Sequence, residues 1–259
     1  MLVDGRPRAK NHRLAAGEAV TVAEPAPEAA AGEPVPAFEV VHRDEQVLVV
    51  DKPAGLVVHP APGHRGVTLA DAIDGFVVHR LDRDTSGLLM IARTEAARDA
   101  LQAQLRARRV RREYVALVSG HPEAETGTID APLGRDRRRR TVMSTRTDMP
   151  RDAVTHFEVE RRLPRTALLR VRLETGRTHQ IRAHLAAIGH PVCGDPAYGG
   201  QACGRRLGLD RQFLHATTLM FKHPVSGEMV VCESKPPVEL RRALDAAIRE
   251  PVSGGPDGD

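Results

Sequence analysis

Aromatic side chains are scarce in this sequence. They make up 3% of its 259 residues, with two tyrosines and no tryptophan. Base stacking therefore cannot rest on a broad aromatic platform of the kind that single-strand binders use, so Tyr114 and Tyr198 are each worth placing. Cysteine is equally sparse. Cys193, Cys203 and Cys232 are too few and too irregularly spaced for a disulfide framework or a zinc ribbon, and an odd number suits a reducing cytosol. No apolar run approaches the length of a membrane span, and the N-terminus lacks a secretory apolar core. These absences predict a soluble, cytoplasmic protein with no membrane partner.

The formal net charge is only +4, but the basic residues are clustered, in Arg106 to Arg112 and again in Arg135 to Arg140. Clustering of that kind suits a polyanionic partner. The length allows a substantial core in one large domain or two modest ones.

Along the chain, Met1-Leu2-Val3 and Val20-Thr21-Val22 read as short strands around an Asp4-Gly5 turn, too little to form an independent core. Residues 24–37 are Pro, Ala and Glu without a pattern to bury, which predicts a semi-stiff linker. From Phe38 the pattern becomes globular. Strands are expected at 38–41, 47–50, 76–78, 88–92, 111–118, 154–159, 166–173, 214–221 and 229–232. Pro60 and Pro62 rule out a regular central strand there. Leu69 to Ile73 reads as a helical turn or two. Thr94 is a fair cap for a helix running to about Arg108. Thr178 is the expected cap of a second helix, with Ile181, Leu185 and Ile188 on one face and Gly189 as its stop. Val238 to Ile248 closes the fold as an amphipathic helix. The polar stretch from Asp130 to Thr141 reads as an exposed loop, and 251–259 as a disordered tail. Many strands, few helices and no regular βαβ alternation predict an α+β fold with a mixed, largely antiparallel sheet.

Between the 76–78 and 88–92 runs lies His79-Arg80-Leu81-Asp82-Arg83-Asp84-Thr85-Ser86-Gly87, a turn dense in carboxylates, guanidiniums and hydroxyls. As a solvated turn it needs nothing more than local hydrogen bonds and a permissive glycine. As a phosphotransferase site, with Asp82 as acceptor and Asp84 as acid/base, it would need magnesium and another carboxylate, for which Gly194-Asp195 is the candidate. His179 and His184 lie five apart and so do not share a helix face, while His59 and His64 flank a proline-rich turn; none of the four reads as a metal ligand. Ser86 lacks the Gly-x-Ser-x-Gly setting of a hydrolase. More of the residues fit covalent chemistry on a base in RNA. That chemistry needs an aspartate nucleophile, a basic group to orient it, a tyrosine face and surrounding arginines. The base must leave its stack first, and Arg80 could fill the gap.

These residues also resemble a known family. His79-Arg80-Leu81-Asp82 with Thr85-Ser86-Gly87 is similar to the signature of the RluA/RluD family of RNA pseudouridine synthases. So are Lys52-Pro53-Ala54-Gly55-Leu56, Tyr114-Val115-Ala116-Leu117-Val118 with Gly120, and the run from Leu173 through Thr178-His179-Gln180-Ile181-Arg182 to Gly194-Asp195-Pro196 and Tyr198-Gly199. The matches keep the family's order over roughly residues 38 to 235. The resemblance implies isomerisation of uridine to pseudouridine without metal or organic cofactor. Asp82 would be the nucleophile, paired with Arg182, or with Arg177 as second choice. Tyr114 would stack on the target base and help manage the C5 proton, and Arg80 would occupy the place of the flipped nucleotide. Arg177, Lys52 and Ile181 complete the substrate side, with Lys52 and Pro53 expected to shape the site more than to react. Asp84 would serve the turn. RNA phosphates would meet Arg106, Arg108, Arg109, Arg111 and Arg112, together with Arg137, Arg138 and the rest of that run.

The resemblance implies large-subunit ribosomal RNA as substrate, with tRNA as runner-up, and a monomer. An RNA-binding protein that has lost catalysis is the alternative from another class. Two departures from the family pattern stand out. Residues 1–23 resemble only the back end of the alpha-L RNA-binding module, without its helical front part. The segment between Leu69 and His79 is also shorter than in family members, by on the order of twenty residues. The expected organisation is therefore a partial alpha-L module at 1–23, a linker at 24–37, a catalytic domain at 38–250 and the tail.

Overall fold

The computed structural model describes residues 2–8, 12–21, 36–60, 66–139 and 141–251. The expected linker, apart from its last two residues, and the expected tail beyond Pro251 lie outside the described residues, as do Pro62, His64 and Arg140. The chain divides into two compact units, Met1–Pro34 and Val35–Asp259. In the first, β1 (Leu2–Val3) pairs antiparallel with both β2 (Arg6–Pro7) and β3 (Val20–Thr21), turning at Asp4-Gly5.

The second unit runs β4 (Glu39–Arg43), β5 (Val47–Lys52), α1 (Leu69–Ala72), β6 (Phe76–Val77), β7 (Ser86–Ala92), α2 (Glu95–Arg106), β8 (Arg111–Ser119), β9 (Thr126–Asp130), β10 (Gly134–Arg135), β11 (Met143–Ser144), β12 (Val154–Arg162), β13 (Thr166–Leu173), α3 (Gln180–Ala187), α4 (Gln201–Leu207), β14 (Leu214–Lys222), β15 (Met229–Glu233) and α5 (Val238–Arg249). The main sheet has the order β4-β5-β7-β14-β8-β13-β12-β9, with β15 on β14 and β6 on β7. Its β7–β14 pair is parallel and its other described pairs are antiparallel, so the sheet is mixed and largely antiparallel.

The apolar runs of β5 and β7 are continuous because both faces of the sheet are covered there. Val47, Val49, Leu88 and Met90 enter one core cluster with Ala97 and Leu101 of α2, while Leu48, Val50, Leu89 and Ile91 enter the other with Ile181, Leu185, Leu240 and Ala243 of α3 and α5. Alternation along each strand thus divides its side chains between two cores, each buried aliphatic contributing about 1.5–3 kcal/mol. Thr94 caps α2 as expected, its Oγ1 accepting from Ala97 N at 3.1 Å. The short approach to the motif is tight: a Cβ on Gly75, at φ +155°, would meet Ala92 O at 2.6 Å.

Four expectations need correction. Asp130 to Thr141 is not simply an exposed loop, because Leu133 is fully buried and Gly134–Arg135 pairs with Met143–Ser144. The cap of α3 is His179, in the left-handed region at φ 54°, rather than Thr178. Ile188 follows the last residue of α3 and is exposed, so it leaves the face shared by Ile181 and Leu185. Finally, Cys193 and Cys203 form a disulfide because α4 folds back and brings their Cα atoms to 5.1 Å, while Cys232 is free and buried. No helix among the described residues is long and apolar enough to cross a membrane.

Candidate active site

The motif loop between β6 and β7 is tied down along its backbone. Thr85 N donates to Asp82 O at 3.1 Å and Gly55 N to Arg83 O at 2.9 Å. Lys52 Nζ donates to Arg83 O (2.9 Å), Pro53 O (2.7 Å) and Leu56 O (3.0 Å). Arg211 Nη1 reaches Asp84 O at 3.0 Å. Asp84 itself closes on its neighbour, both carboxylate oxygens accepting from Arg83. A loop with its carbonyls so occupied can hold one side chain, Asp82, in a fixed direction.

That direction is toward α3. Arg182 Nη1 donates to Asp82 Oδ2 at 2.9 Å, while Arg177 Nε donates instead to Asp152 O at 3.0 Å. The guanidinium is held from behind by Asp195, which is fully buried and accepts from Nε at 2.6 Å and Nη2 at 2.9 Å. Tyr198 covers its face at 5.1 Å. Burial opposes the charge on Arg182, but the carboxylates of Asp195 and Asp82 outweigh it and push the pKa above the ordinary arginine value. In the sequence Asp195 stood within a family motif and as a possible magnesium ligand; here it is committed to Arg182, and the phosphotransferase reading loses its further carboxylate.

The start of α3 is positioned by Gln180, whose Oε1 accepts from Arg177 N and Thr175 Oγ1 and whose Nε2 donates to Val154 O and Thr155 Oγ1. His179, held in its left-handed conformation, has its Nδ1 within hydrogen-bond distance of the Tyr198 hydroxyl, at 3.0 Å; that hydroxyl accepts from Met143 N at 2.8 Å. Burial pushes Tyr198 up to about 12 and His179 down, so both are neutral near pH 7. A non-glycine residue at positive φ beside a charged cluster is strain stored where function is expected.

Asp82 and Arg182 open into a cavity of about 590 Å³, whose wall also includes Tyr114, Ile181, Arg80 and Arg177. The structure thus gathers six of the expected site residues around one space. Tyr114 is buried, and burial pushes its hydroxyl pKa up, keeping it a neutral phenol. Arg80 is exposed at the rim. Of the expected RNA contacts, Arg106 and Arg108 lie on the same wall, Arg108 paired with Glu174.

Two residues need reassignment. Lys52 is fully buried, with each ammonium hydrogen used by a carbonyl, so it anchors the loop and does not face substrate. Burial pushes its pKa down to about 7. Arg112, expected on the RNA backbone, is a buried part of the cavity wall instead of a surface cation; its Nη2 donates to Glu174 O at 3.3 Å, and a Cβ on Gly176 would come within 2.7 Å of its Nη1. Arg109 and Arg111 are exposed beside the cavity wall in sequence, Arg111 paired with Glu113. Arg137, paired with Asp148, and Arg138 are exposed but do not line the cavity.

His79, also on the wall, accepts at Nε2 from Met90 N at 3.0 Å. Burial, reinforced by the charge of Arg112, pushes its pKa down to about 3. The unfolded chain binds this proton from about pH 6.5 downward and the folded chain refuses it until about pH 3, so stability is full above 6.5 and falls with pH in between. His79→Gln keeps an acceptor for Met90 N without a titrating ring. The stability gap between wild type and this variant should therefore narrow by about 2 kcal/mol from pH 7.5 to pH 5 in urea denaturation. A constant gap would contradict the placement.

The geometry provides an oriented carboxylate, a neutral phenol and a guanidinium around a space large enough for a nucleobase. A sequence model for RNA pseudouridylate synthase matches residues 46–187, which spans Asp82, Tyr114 and Arg182. The chain belongs to this family. The synthase is 41% identical to an uncharacterised RNA pseudouridine synthase of Bacillus subtilis, over 95% of this chain and 84% of the relative. It is 45% identical to a ribosomal large subunit pseudouridine synthase D of Xanthomonas campestris, over 82% and 70% of the two chains. Among solved structures, human RNA pseudouridylate synthase domain containing 1 superposes with a TM-score of 0.65 at 29% identity, covering 80% of this chain and 86% of that one. The α+β fold and the activity class expected from the motifs agree with these relatives.

Proposed function

We propose that this synthase isomerises uridine in large-subunit ribosomal RNA, with Asp82 as nucleophile. The observation that carries the proposal is the buried Asp195–Arg182–Asp82 array facing Tyr114 across one cavity. Arg182 occupies Oδ2 of Asp82, leaving Oδ1 for the substrate. A bond from that oxygen to the sugar or to the base lets the base part from its sugar nitrogen bond and turn within the cavity, and the Asp82 bond breaks again as the base rejoins through C5. The C5 proton must then leave, passing to the freed Asp82 carboxylate or to water, with Tyr114, a neutral phenol against the ring, as a hydrogen-bonding neighbour in that transfer. Arg80, at the rim, fills the gap in the helix from which the nucleotide has left. No metal or organic cofactor takes part in this scheme, and the protein acts as a cytoplasmic monomer. The β1–β3 unit serves as part of an alpha-L type RNA-binding module.

Support for a ribosomal substrate comes from the relatives named for the large subunit. Phosphates meet Arg106 and Arg108 on the cavity wall and Arg109 and Arg111 further along the same run, with Arg137 and Arg138 as a separate contact. The first four alone, each neutralising one phosphate, give a slope of log affinity against log salt of about −3 to −4, and removing Arg109 reduces it by about one. The deciding experiment incubates large-subunit rRNA and bulk tRNA separately with the enzyme and maps pseudouridine by chemical modification and primer extension. New stops in rRNA alone are expected. Stops in tRNA alone would transfer the substrate assignment, and a flat salt response would remove the arginine track.

A further inference from the structure

Directly behind the motif loop lies a polar chain, buried at its centre, that the reaction scheme does not use. Ser86 of β7 and His215 of β14 are register partners in the parallel strand pair, 3% and 1% exposed. Arg211 Nη2 donates to Ser86 Oγ at 3.1 Å, and Ser86 Oγ lies 2.9 Å from His215 Nδ1. His215 Nε2 lies 3.0 Å from Ser234 Oγ, and the Ser234 hydroxyl donates to Asp51 Oδ2. The Asp51 oxygen takes the Ser234 proton, so Ser234 must accept from the imidazole Nε2–H. Burial pushes the pKa of His215 down and keeps the ring neutral, so its Nδ1 carries no proton and accepts from Ser86, which in turn accepts from Arg211.

The chain is joined to the catalytic loop at several points. Arg211 also donates to Asp84 O at 3.0 Å, and Gln212 Nε2 donates to Thr85 Oγ1 at 3.2 Å. Gly87, at φ +112°, lies against the backbone of Ala216 so closely that any Cβ would collide with it. The segment around His215 thus grips residues 84 to 87, while Asp82 O accepts from Thr85 N within the same turn. Neither Ser86 nor His215 lines the active cavity, so neither touches substrate.

We propose that the chain Arg211–Ser86–His215–Ser234–Asp51 is a positioning device for the isomerisation, with His215 as its hub: it fixes where β7 begins and thereby where Asp82 points. The proposal rests on Asp82 as nucleophile. A misplacement of the order of 1 Å in a reacting group costs about a hundredfold in rate. The device should therefore show in kcat and leave RNA binding alone.

The two ends of the imidazole can be separated by substitution. In His215→Asn the amide oxygen stands near the Nδ1 position and can still accept from Ser86. In His215→Gln the amide stands near Nε2 and keeps Ser234, but leaves Ser86 without its acceptor. Single-turnover pseudouridine formation is measured on an rRNA transcript for both variants, Ser86→Ala, Ser234→Ala and Asp82→Asn, with melting temperatures recorded. His215→Asn is expected within about threefold of wild type, and His215→Gln and Ser86→Ala at least about tenfold lower in rate with KM for RNA unchanged. Should His215→Gln fail to fold, the comparison of Ser86→Ala with Ser234→Ala carries the test, with the greater loss expected at Ser86. Equal rates throughout, equal losses at both ends of the ring, or losses confined to KM or following the melting temperature would overturn the proposal. Full activity in Asp82→Asn would instead remove the nucleophile assignment on which it rests.

Discussion

Asp195→Ala lowers the unfolding free energy by about 3–5 kcal/mol, as expected when one partner of a buried ion pair is removed and the other charge stays behind. Asp195 is fully buried and accepts two bonds from Arg182, at 2.6 and 2.9 Å. Its Oδ1 also accepts from Ala197 N at 2.8 Å and Tyr198 N at 3.2 Å, so the turn that carries Tyr198 loses its tie as well. Arg182 would be left with one carboxylate, Asp82, which is itself part of the reaction. The catalytic consequence follows from the same geometry. A guanidinium no longer fixed from behind can follow Asp82 or leave it, and a loss of about a hundredfold in kcat is expected. Asp195→Asn keeps one acceptor and should fall between alanine and wild type in both measurements. Urea denaturation and single-turnover kinetics on the same samples test this. A loss below about 1 kcal/mol would mean that the pair is not desolvated as described.

Asp82→Asn produces the largest catalytic effect. Asparagine retains an oxygen for Arg182 Nη1 and is nearly isosteric, so the cavity and the loop should stay as they are. On the proposed scheme what disappears is the nucleophile, and loss of a covalent nucleophile costs on the order of 10⁴-fold or more in kcat. Asp82 is partly exposed to the cavity, with 14% of its side chain accessible, so the stability cost is small beside that of Asp195. RNA affinity should be unchanged, because phosphate contacts come from the arginines around the rim. Filter binding and kinetics on one preparation would show the split. Weaker binding in step with lost turnover would point to a substrate contact rather than a nucleophile.

The parts of this architecture that are local in the sequence were legible there. The runs at 47–50 and 88–92 read as strands because burial on both faces leaves no polar interruption. Thr94 read as a cap because its hydroxyl serves a neighbour three residues on. The ordered motifs placed Asp82, Tyr114 and Arg182, and the fold brings all three to one cavity.

What was not legible depends on contacts between distant segments. Helix α4 was not expected at all; it is short and has Gly204 inside it, where a Cβ would meet Gly194 Cα at 2.5 Å, so its reason lies in a contact with a distant segment. The bridge between Cys193 and Cys203 depends on that same close approach. Lys52 read as a site residue because nothing local reveals that strand alternation sends it inward, on the face of Leu48 and Val50, to three waiting carbonyls. Arg112 was taken for a surface cation within a basic run, although the same alternation buries it between exposed Arg111 and half-buried Glu113. The left-handed His179 could not be expected from its residue type, since that conformation is uncommon outside glycine.

The central claim is that Asp82, oriented by Arg182, detaches uracil and rejoins it through C5. Carbon–carbon bond formation at C5 releases the hydrogen there. The most direct measurement therefore follows tritium released from rRNA carrying [5-³H]uridine, with wild type and Asp82→Asn run side by side. The account predicts release by wild type up to the number of modified uridines and none above background from Asp82→Asn. No release from wild type, or equal release from both proteins, would contradict it.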